Sequence, residues 1–303
     1  MAKITLGLPY KGSKAAIAED IVKKLPPGGR ILDACCGGGA FLMAAAMSLK
    51  WDSVVGNDLN KATIKLLDAV LIHKGQIDYE HPAPCSRVDF FHSLQRIENG
   101  DFDIQDCVNK YCASFGNDGK TYLYGEQIED YKLIAEKMLT APTLSERRSN
   151  YRKFFDIMTK EDDDGRLQKL EFVQRLQSLE RLERLERLDI FDIDYKGFDV
   201  VYFDPPYKGT NKYDFEFDYD RFYDLFKSLK TDLKINAFLS EYDAPYTCVA
   251  EFHKTQLMAA SVGSSKSTTM EKLYFNGTAD EYRELMGRFY DDGAQKDCQQ
   301  SLF

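Results

Sequence analysis

Short apolar runs alternate with amphipathic stretches in the N-terminal part of the chain. The runs Ile31-Leu32 and Val54-Val55 both lead towards an acidic residue, and each is followed by a segment of helix-forming residues. This pattern predicts strands at 30–33 and 53–58, and helices at 14–25, 40–49 and 61–73. Such alternation of strands and helices is typical of a parallel sheet covered by helices.

The alternation returns near residue 199. Val200–Phe203 is an apolar run, and 235–241 is a further strand. The segments 248–258 and 270–275 flank a loop rich in Ser, Gly and Lys, so they predict an antiparallel hairpin that closes the sheet. The predicted fold class is α/β: a Rossmann-like sheet, mostly parallel, with one antiparallel strand near its C-terminal edge.

Between these two parts the pattern is lost. Helices are predicted only at 127–139 and 145–160, and 101–120 is rich in polar and small residues. We interpret the segment as an inserted, mainly helical domain. The predicted division is a first catalytic part at residues 1–75, the insertion at 76–185, a second catalytic part at 186–290 and a tail at 291–303.

A leucine repeat lies at the end of the insertion. From Leu176 to Leu188, leucine recurs every third residue and the triplet L-E-R occurs three times in succession. A period of three matches neither the 3.6 residues of a helical turn nor the alternation of a strand. We interpret the repeat as a short helix or irregular connector.

Composition indicates a soluble, cytoplasmic protein. The chain has 303 residues, 44% of them apolar and 29% charged, and no apolar run approaches the ~20 residues that span a bilayer. Its seven cysteines are scattered without metal or redox spacing, which indicates reduced thiols. The net charge of −9 argues mildly against a nucleic-acid partner. Local basic clusters at 147–148, 152–153 and 208–212 nevertheless predict a positive cleft.

The strongest chemical signal is Asp204-Pro205-Pro206-Tyr207, directly after the run Val200–Phe203. Parallel sheets bind ligands beyond the carboxyl ends of their strands. Proline fixes its own φ and restricts the residue before it, so the carboxylate and the backbone carbonyls point in defined directions. The motif suits a planar amino group held beneath a stacking ring. The alternative is a strand-ending turn with a surface tyrosine.

A second signal is the glycine turn after the first predicted strand, with candidate residues Asp33, Cys35, Gly37, Gly39 and Phe41. Leu42 replaces the third glycine of a nicotinamide fingerprint, and the Lys of a phosphate-binding loop is absent. An acid before the turn repels a pyrophosphate but suits a cationic amino-acid group. Asp58, with Leu59 beside it, is placed to bind a ribose diol. Together these features predict S-adenosylmethionine as the cofactor.

Two weaker signals support the same ligand. Tyr10 and Lys14 precede the first helix and are candidates to close over the carboxylate of the cofactor, although an N-terminal arm packed on the sheet is the simpler interpretation of these residues alone. Asp194 and Tyr195 lie just before the strand that ends in Asp204, and they are candidates to hold the adenine of the cofactor.

With these motifs in this order, the chain resembles the Dam-like DNA adenine-N6 methyltransferases, over roughly residues 6–277. It departs from them in having Cys35-Cys36 in place of an aromatic before the first glycine. The resemblance implies that the cofactor lies over the strand ending at Asp33 and a flipped adenine over the strand ending at Phe203. It also implies that Tyr207 stacks on the base, while Asp204 and the Pro205 carbonyl accept its amino hydrogens. The inserted segment is then a target-recognition domain.

The implied partner is double-stranded DNA. Candidate DNA contacts are Asn117, Lys120 and Tyr122 in a glycine-rich loop of the insertion, together with Lys208; a plain turn is the equally weighted alternative for the loop. The implied protein is a bacterial or phage-encoded monomer without a membrane role. Whether it belongs to a restriction-modification pair with a cognate endonuclease is left open.

Alternative functions are methylation of cytosine N4, RNA adenine or protein glutamine, and a non-catalytic nucleic-acid-binding module. Asp rather than Ser or Asn before Pro205 favours adenine, and the large insertion favours duplex DNA. The intact Asp58, Asp204 and glycine turn argue against a module without activity.

Overall fold

A computed structural model describes residues 6–73, 84–126, 128–141, 143–157, 182–207, 217–257 and 266–288. Within these ranges the strands form one seven-stranded sheet with the order β3-β2-β1-β4-β5-β7-β6. The strands are β1 Gly28–Asp33, β2 Trp51–Asn57, β3 Leu182–Glu186, β4 Val200–Phe203, β5 Asn236–Glu241, β6 Thr247–Leu257 and β7 Lys266–Phe275.

The strand directions confirm the predicted fold class. Strands β3, β2, β1, β4 and β5 run parallel to one another, whereas β7 is antiparallel to both β5 and β6. The sequential order reverses between β1 and β4, which pair through Asp33 and Tyr202. A crevice at such a reversal is the expected ligand site of an open α/β sheet.

Apolar side chains explain why β4 lies in the middle of the sheet. All four of its residues are buried, which suits a strand covered on both faces. Phe203 makes edge-on contacts with Phe222 and Phe226 of the helix that follows. This packing fixes the end of β4 and therefore the start of the Asp204 motif.

The helices are α1 Ala18–Lys23, α2 Ala40–Ser48, α3 Lys61–Leu71, α4 Arg87–Asn99, α5 Ile104–Cys112, α6 Glu129–Thr140, α7 Leu144–Ile157 and α8 Tyr219–Thr231. A further helical segment covers 279–288. No helix within the described ranges has the length and apolar character needed to cross a membrane.

Two helices of the inserted segment were not predicted, α4 and α5. Both begin with a capping box, in which the N-cap side chain and the side chain three residues later satisfy each other's backbone N–H groups: Ser86 with Asp89, and Asp103 with Asp106. The polar composition of 101–120 concealed α5, which buries the polar residues Asp106 and Asn109 along with four less polar ones, Cys107, Val108, Tyr111 and Cys112. The prediction that the helical pattern is absent before residue 127 is therefore wrong.

The interpretation of the leucine repeat is wrong for the part that the structure describes. Leu182–Glu186 is the edge strand β3, paired in parallel with β2. Side chains alternate between the two faces of a strand, so a spacing of three places Leu182 and Leu185 on opposite faces. Pairing with β2 and the ion pair between Glu183 and Arg30 hold this polar strand in place. The earlier residues of the repeat, 176–181, lie outside the described ranges.

The chain divides into two compact units. One combines Met1–Ser13, Gly37–Gly39 and Asn60–Leu179, and the other combines Lys14–Cys36, Ala40–Leu59 and Glu180–Phe303. The sheet and α8 belong to the second unit. Helix α3 belongs to the first, where Thr63 shares a 2.5 Å hydrogen bond with Tyr111 of α5. The long segment of the first unit runs from residue 60 to residue 179, and the functional division at 75/76 and 185/186 stays a prediction.

Candidate active site

The motif Asp204–Tyr207 follows β4 directly, at the strand end where the sheet order reverses. The Asp204 side chain is 18% exposed, so it lies near the surface of the strand end without being fully solvated. The hydroxyl of Tyr219, in the first turn of α8, donates a hydrogen bond to the Pro206 carbonyl. The motif is therefore anchored from both β4 and α8.

Lys14 lies against the first residue of this motif. Its Nζ atom is 2.6 Å from Asp204 Oδ1 and 3.1 Å from Glu271 Oε1, and its side chain is only 6% exposed. Burial opposes the ammonium form, but the two carboxylates outweigh it and raise the pKa of Lys14 above its ordinary value. Lys14 was predicted to bind a cofactor carboxylate; in the structure its described partners are protein carboxylates.

Tyr207 is held at the other end of the motif. Its hydroxyl donates a 2.7 Å hydrogen bond to Glu271 Oε1, and its ring packs edge-on against Tyr242 at a centroid distance of 4.6 Å. The Lys14 ammonium lies 4.8 Å from the ring centroid. Burial, with the nearby carboxylates of Asp204 and Glu271, raises the pKa of Tyr207, so the hydroxyl stays protonated.

Sequence reasoning missed Glu271, which contacts both Lys14 and Tyr207. A signal was present. Residues 271, 273 and 275 of β7 share one face, on which Leu273 and Phe275 are fully buried. A carboxylate on such a face has to be paired within the protein, because burying it alone is costly.

Asp33 is a buried carboxylate at the end of β1. Its side chain is 1% exposed, and neither oxygen has a hydrogen-bond partner of good geometry in the described part of the chain. Burial raises the pKa of Asp33 well above its ordinary value, and the negative charges of Asp204 and Asp58 raise it further. Asp33, Asp58 and Asp204 therefore create a negative electrostatic environment, which favours a positively charged ligand.

Asp58 and Leu59 follow β2 at the same edge of the sheet. Asp58 is half-buried and Leu59 is 50% exposed, so a ligand at this strand end can reach both side chains. The preceding residue, Asn57, was not predicted as part of the site. Its buried amide donates to the carbonyls of Ala34 and Leu188 and accepts from the Leu188 N–H, so it ties β1 to the chain after β3.

The remaining candidates of this unit have different surroundings. Cys35 and Cys36 are thiols whose pKa is raised by burial and by neighbouring acids, so they are neutral side chains. Tyr195 is in the core, and its hydroxyl donates to the Ile190 carbonyl. Asp194 is exposed and accepts from the Lys196 N–H. Phe41, at the start of α2, is buried and stacks on Tyr202 at 3.8 Å between centroids.

Tyr10 packs on the glycine turn. The N–H of Leu8 donates a 2.6 Å hydrogen bond to the Gly38 carbonyl, and a Cβ atom at Gly37 would lie 3.0 Å from the Tyr10 ring. Gly37 and Gly39 both have positive φ, at 46° and 77°, a region that glycine adopts without strain. The N-terminal arm therefore packs on the turn itself.

The inserted-loop candidates separate into two groups. Lys120 is exposed, and Asn117 is half-buried with a positive φ of 59°. Tyr122 is buried instead: its hydroxyl donates to the Cys85 carbonyl and its ring contacts Phe90 and Tyr124. The packing of Tyr122 accounts for this side chain without a DNA contact, and its role towards DNA stays a prediction. Lys208 lies outside the described residues.

Comparisons with known proteins place the chain in a family. The family model for D12 class N6 adenine-specific DNA methyltransferases matches residues 10–274. A search of curated protein sequences gives no match.

Solved structures of low similarity were also found. Two structures of the rRNA methyltransferase aviRa from Streptomyces viridochromogenes have 15% identity, with 91% of this chain and 90% of that chain covered and a TM-score of 0.38. The protein SMU.472, complexed with SAH, has 13% identity, with 86% of this chain and 51% of that chain covered and a TM-score of 0.31.

The family match spans the arm, the glycine turn, the insertion and the Asp204 motif. It confirms the resemblance inferred from those motifs, and with it the assignments of methyltransferase activity, adenine in DNA as the substrate and S-adenosylmethionine as the methyl donor. The chain belongs to the D12 class of N6 adenine-specific DNA methyltransferases.

Proposed function

We propose that this enzyme methylates the N6 amino group of an adenine flipped out of a specific duplex DNA sequence, and that Asp204–Tyr207 holds this base. The observation that carries the proposal is the position of the motif. It follows β4 at the reversal of the sheet, beside β1, where the buried Asp33 lacks a partner of good geometry among the described residues. A donor site and an acceptor site thereby adjoin across two neighbouring strand ends.

The residues around β1 and β2 fit the methyl donor. S-adenosylmethionine supplies a methyl group on a sulfonium, and it carries an ammonium and a ribose diol. Asp33 is a buried acid whose pKa is raised in the free enzyme, and a cation bound beside it favours its ionised form, so the two stabilise each other. Asp58 provides an acceptor for the diol, and exposed Leu59 provides an apolar surface for the adenine of the donor. The positive φ of Gly37 and Gly39 supports a tight backbone turn after β1.

Tyr195 has a narrower role in this proposal than its sequence position indicated. Its ring belongs to the core and its hydroxyl is already bonded to Ile190, which leaves its backbone as the part able to meet a ligand. Exposed Asp194 remains a candidate acceptor for the amino group of the donor's adenine.

The residues at the end of β4 fit the amino group. Asp204 and the Pro205 carbonyl accept its two hydrogens, which draws the nitrogen lone pair out of conjugation with the ring. The carboxylate of Asp204 also stabilises the positive charge that develops on nitrogen during transfer. The ring of Tyr207, fixed by Glu271 and Tyr242, offers a surface on which the base stacks. Holding both reactants in this geometry supplies much of the rate enhancement.

Duplex DNA is the form of substrate that the insertion favours. An adenine amino group inside a duplex is out of reach, so the base is flipped at a cost of a few kcal/mol. Lys120 is exposed and suits a phosphate, and Asn117 suits a base edge or the backbone. We propose that the enzyme acts as a monomer, with or without a cognate restriction endonuclease.

Transfer of tritium from labelled S-adenosylmethionine tests this function. The substrates are unmethylated duplex DNA, the same DNA as single strands, a duplex containing only G and C, and RNA of matching sequence. We expect label in the mixed-sequence duplex, recovered as N6-methyladenine after digestion. Label in the G–C duplex or in RNA at a comparable rate would contradict the proposal, as would a preference for single strands.

A further inference from the structure

Glu271 joins the two ends of the Asp204–Tyr207 motif. Its carboxylate is 3% exposed, and the same oxygen, Oε1, accepts from the Tyr207 hydroxyl and lies 3.1 Å from Lys14 Nζ. Lys14 in turn lies 2.6 Å from Asp204. The contacts therefore run from Asp204 through Lys14 and Glu271 to Tyr207, all within one compact unit.

The charges of this bridge matter as much as its contacts. Lys14 faces two carboxylates, so its positive charge is divided between Asp204 and Glu271. A lysine paired with Asp204 alone would neutralise the carboxylate that has to stabilise charge on the adenine nitrogen. Buried ion pairs of this kind are a weak source of stability, because desolvation offsets most of the attraction. Their position at a reacting group favours a role in function.

The contact with Tyr207 fixes a ring. A tyrosine ring held only by packing can turn about its side-chain bonds, whereas a 2.7 Å hydrogen bond to a buried carboxylate defines where its hydroxyl lies. Tyr242 restricts the same ring edge-on. The stacking surface is then preorganised before a base arrives, which lowers the entropy that binding has to remove.

We propose that Glu271 is a positioning residue for methyl transfer, which orients Tyr207 directly and, by sharing Lys14, holds Asp204 in place and limits how far the lysine offsets the negative charge of Asp204. This inference rests on the proposed role of Asp204–Tyr207. Because Glu271 acts through its neighbours, its loss changes the transfer step more than the binding of either substrate.

Glu271→Gln tests the proposal, because glutamine keeps the size of the side chain and can still accept from Tyr207 but cannot share the charge of Lys14. We expect the single-turnover rate of methyl transfer to duplex DNA to fall at least tenfold. The dissociation constant for S-adenosylmethionine and the KM for DNA should stay within about twofold of wild type. The matched control is Glu251→Gln, the same change at an exposed position on the neighbouring strand β6, which should leave the rate unchanged.

Tyr207→Phe provides a second measurement that does not depend on how Glu271→Gln folds. It removes only the hydroxyl that donates a hydrogen bond to Glu271, and we expect a lower transfer rate with unchanged cofactor affinity. In the double variant, the two losses should combine to less than their product, because Glu271→Gln has already weakened the charge-assisted hydrogen bond that Tyr207→Phe removes. A rate within twofold of wild type for either single variant would overturn the proposal, as would full multiplicativity in the double variant.

The Asp204→Ala variant in the same assay separates this inference from the proposed function. If Asp204→Ala retains transfer, the proposed function fails. If Asp204→Ala is inactive while Glu271→Gln transfers at the wild-type rate, only the role of Glu271 fails.

Discussion

At the residue scale, the site combines a buried acid, Asp33, with a lysine that two carboxylates share. Asp33 lacks a partner of good geometry among the described residues, whereas Asp204 and Glu271 are both paired with Lys14. Burying a carboxyl group without such a partner is unfavourable, so Asp33 costs stability in the absence of ligand. Such strain on the free enzyme is expected where a cationic ligand will bind.

Asp33→Asn should make the free enzyme less sensitive to pH. The pKa of Asp33 is raised in the folded state, so the folded protein binds the proton more tightly than the unfolded chain does. Wild-type stability therefore falls as pH rises above the ordinary range of an aspartate, and the variant lacks this loss. We expect the variant to gain on the order of 1–3 kcal/mol in unfolding free energy at pH 7.5, and less at pH 5.

Urea unfolding of the free enzyme at both pH values measures this difference. Asp52→Asn, at an exposed position on β2, is the control and should show no such trend. In parallel, calorimetry should show at least tenfold weaker binding of S-adenosylmethionine to Asp33→Asn. Equal stability differences at the two pH values, or unchanged cofactor affinity, would contradict the role assigned to Asp33.

At the scale of elements, the glycine turn depends on the N-terminal arm that packs on it. A Cβ atom at Gly38 would lie 2.6 Å from Tyr10 Cβ and 2.9 Å from the Leu8 carbonyl oxygen. One of these contacts is with backbone, which cannot move aside without shifting the arm. The turn therefore requires glycine at this position for space rather than for its backbone angles.

Gly38→Ala should accordingly displace the arm and lower the unfolding free energy by roughly 1–3 kcal/mol, the usual cost of overpacking. Gly125→Ala is the matched control, since no atom lies within 4 Å of its added methyl group. Denaturant unfolding compares the two. A Gly38→Ala protein as stable as the control would show that the arm does not press on the turn.

The same elements show how far the sequence predicts the structure. The parallel strands and the hairpin follow from apolar runs and their alternation, so β1, β4 and β5 were predicted within two residues. Strand β3 was not predicted, because its sequence is polar. It forms a strand through its pairing with β2, which is distant in the sequence, rather than through a local pattern. Helices α4 and α5 were missed although their capping residues can be read from the sequence. Some of the residues that they bury are polar, Ser93 in α4 and Asp106 and Asn109 in α5, and these obscure the apolar pattern.

The residues of the candidate site also separate into those that the sequence reveals and those that only the fold reveals. The Asp204 motif, Asp33 and Asp58 stand at strand ends and could be found from the sequence. Glu271 comes from a strand far along the chain, and its partners Lys14 and Tyr207 become apparent only when the strands are assembled. Tyr122 was predicted as a DNA contact because it is an aromatic residue in a polar loop, whereas the structure places its ring in a local core that the sequence pattern does not reveal.

At the scale of the whole molecule, an acidic enzyme has to bind an acidic polymer. The net charge is −9, so attraction to DNA has to come from local basic groups rather than from the molecule as a whole. Affinity should then fall steeply with salt, as each lysine or arginine at a phosphate releases counterions. In the inserted loop at 116–122, Lys120 is an exposed candidate for a phosphate contact. A substitution at this position tests the contact directly.

Lys120→Ala should weaken binding to duplex DNA about three- to tenfold and reduce the slope of log affinity against log salt by about 1. Affinity for S-adenosylmethionine should not change. Lys227→Ala, an exposed lysine on α8, serves as the control for a charge change elsewhere. Fluorescence anisotropy across a range of salt concentrations measures both variants, and identical slopes for Lys120→Ala and wild type would exclude a phosphate contact at Lys120.

The most direct test of the central claim is methyl transfer by Asp204→Ala, measured together with its affinity for S-adenosylmethionine. Asp224→Ala, at an exposed position on α8, is the control. If Asp204 holds and stabilises the reacting amine, transfer to duplex DNA should fall by at least about a hundredfold while cofactor affinity stays within a few-fold of wild type. Transfer near the wild-type rate by Asp204→Ala would contradict the account.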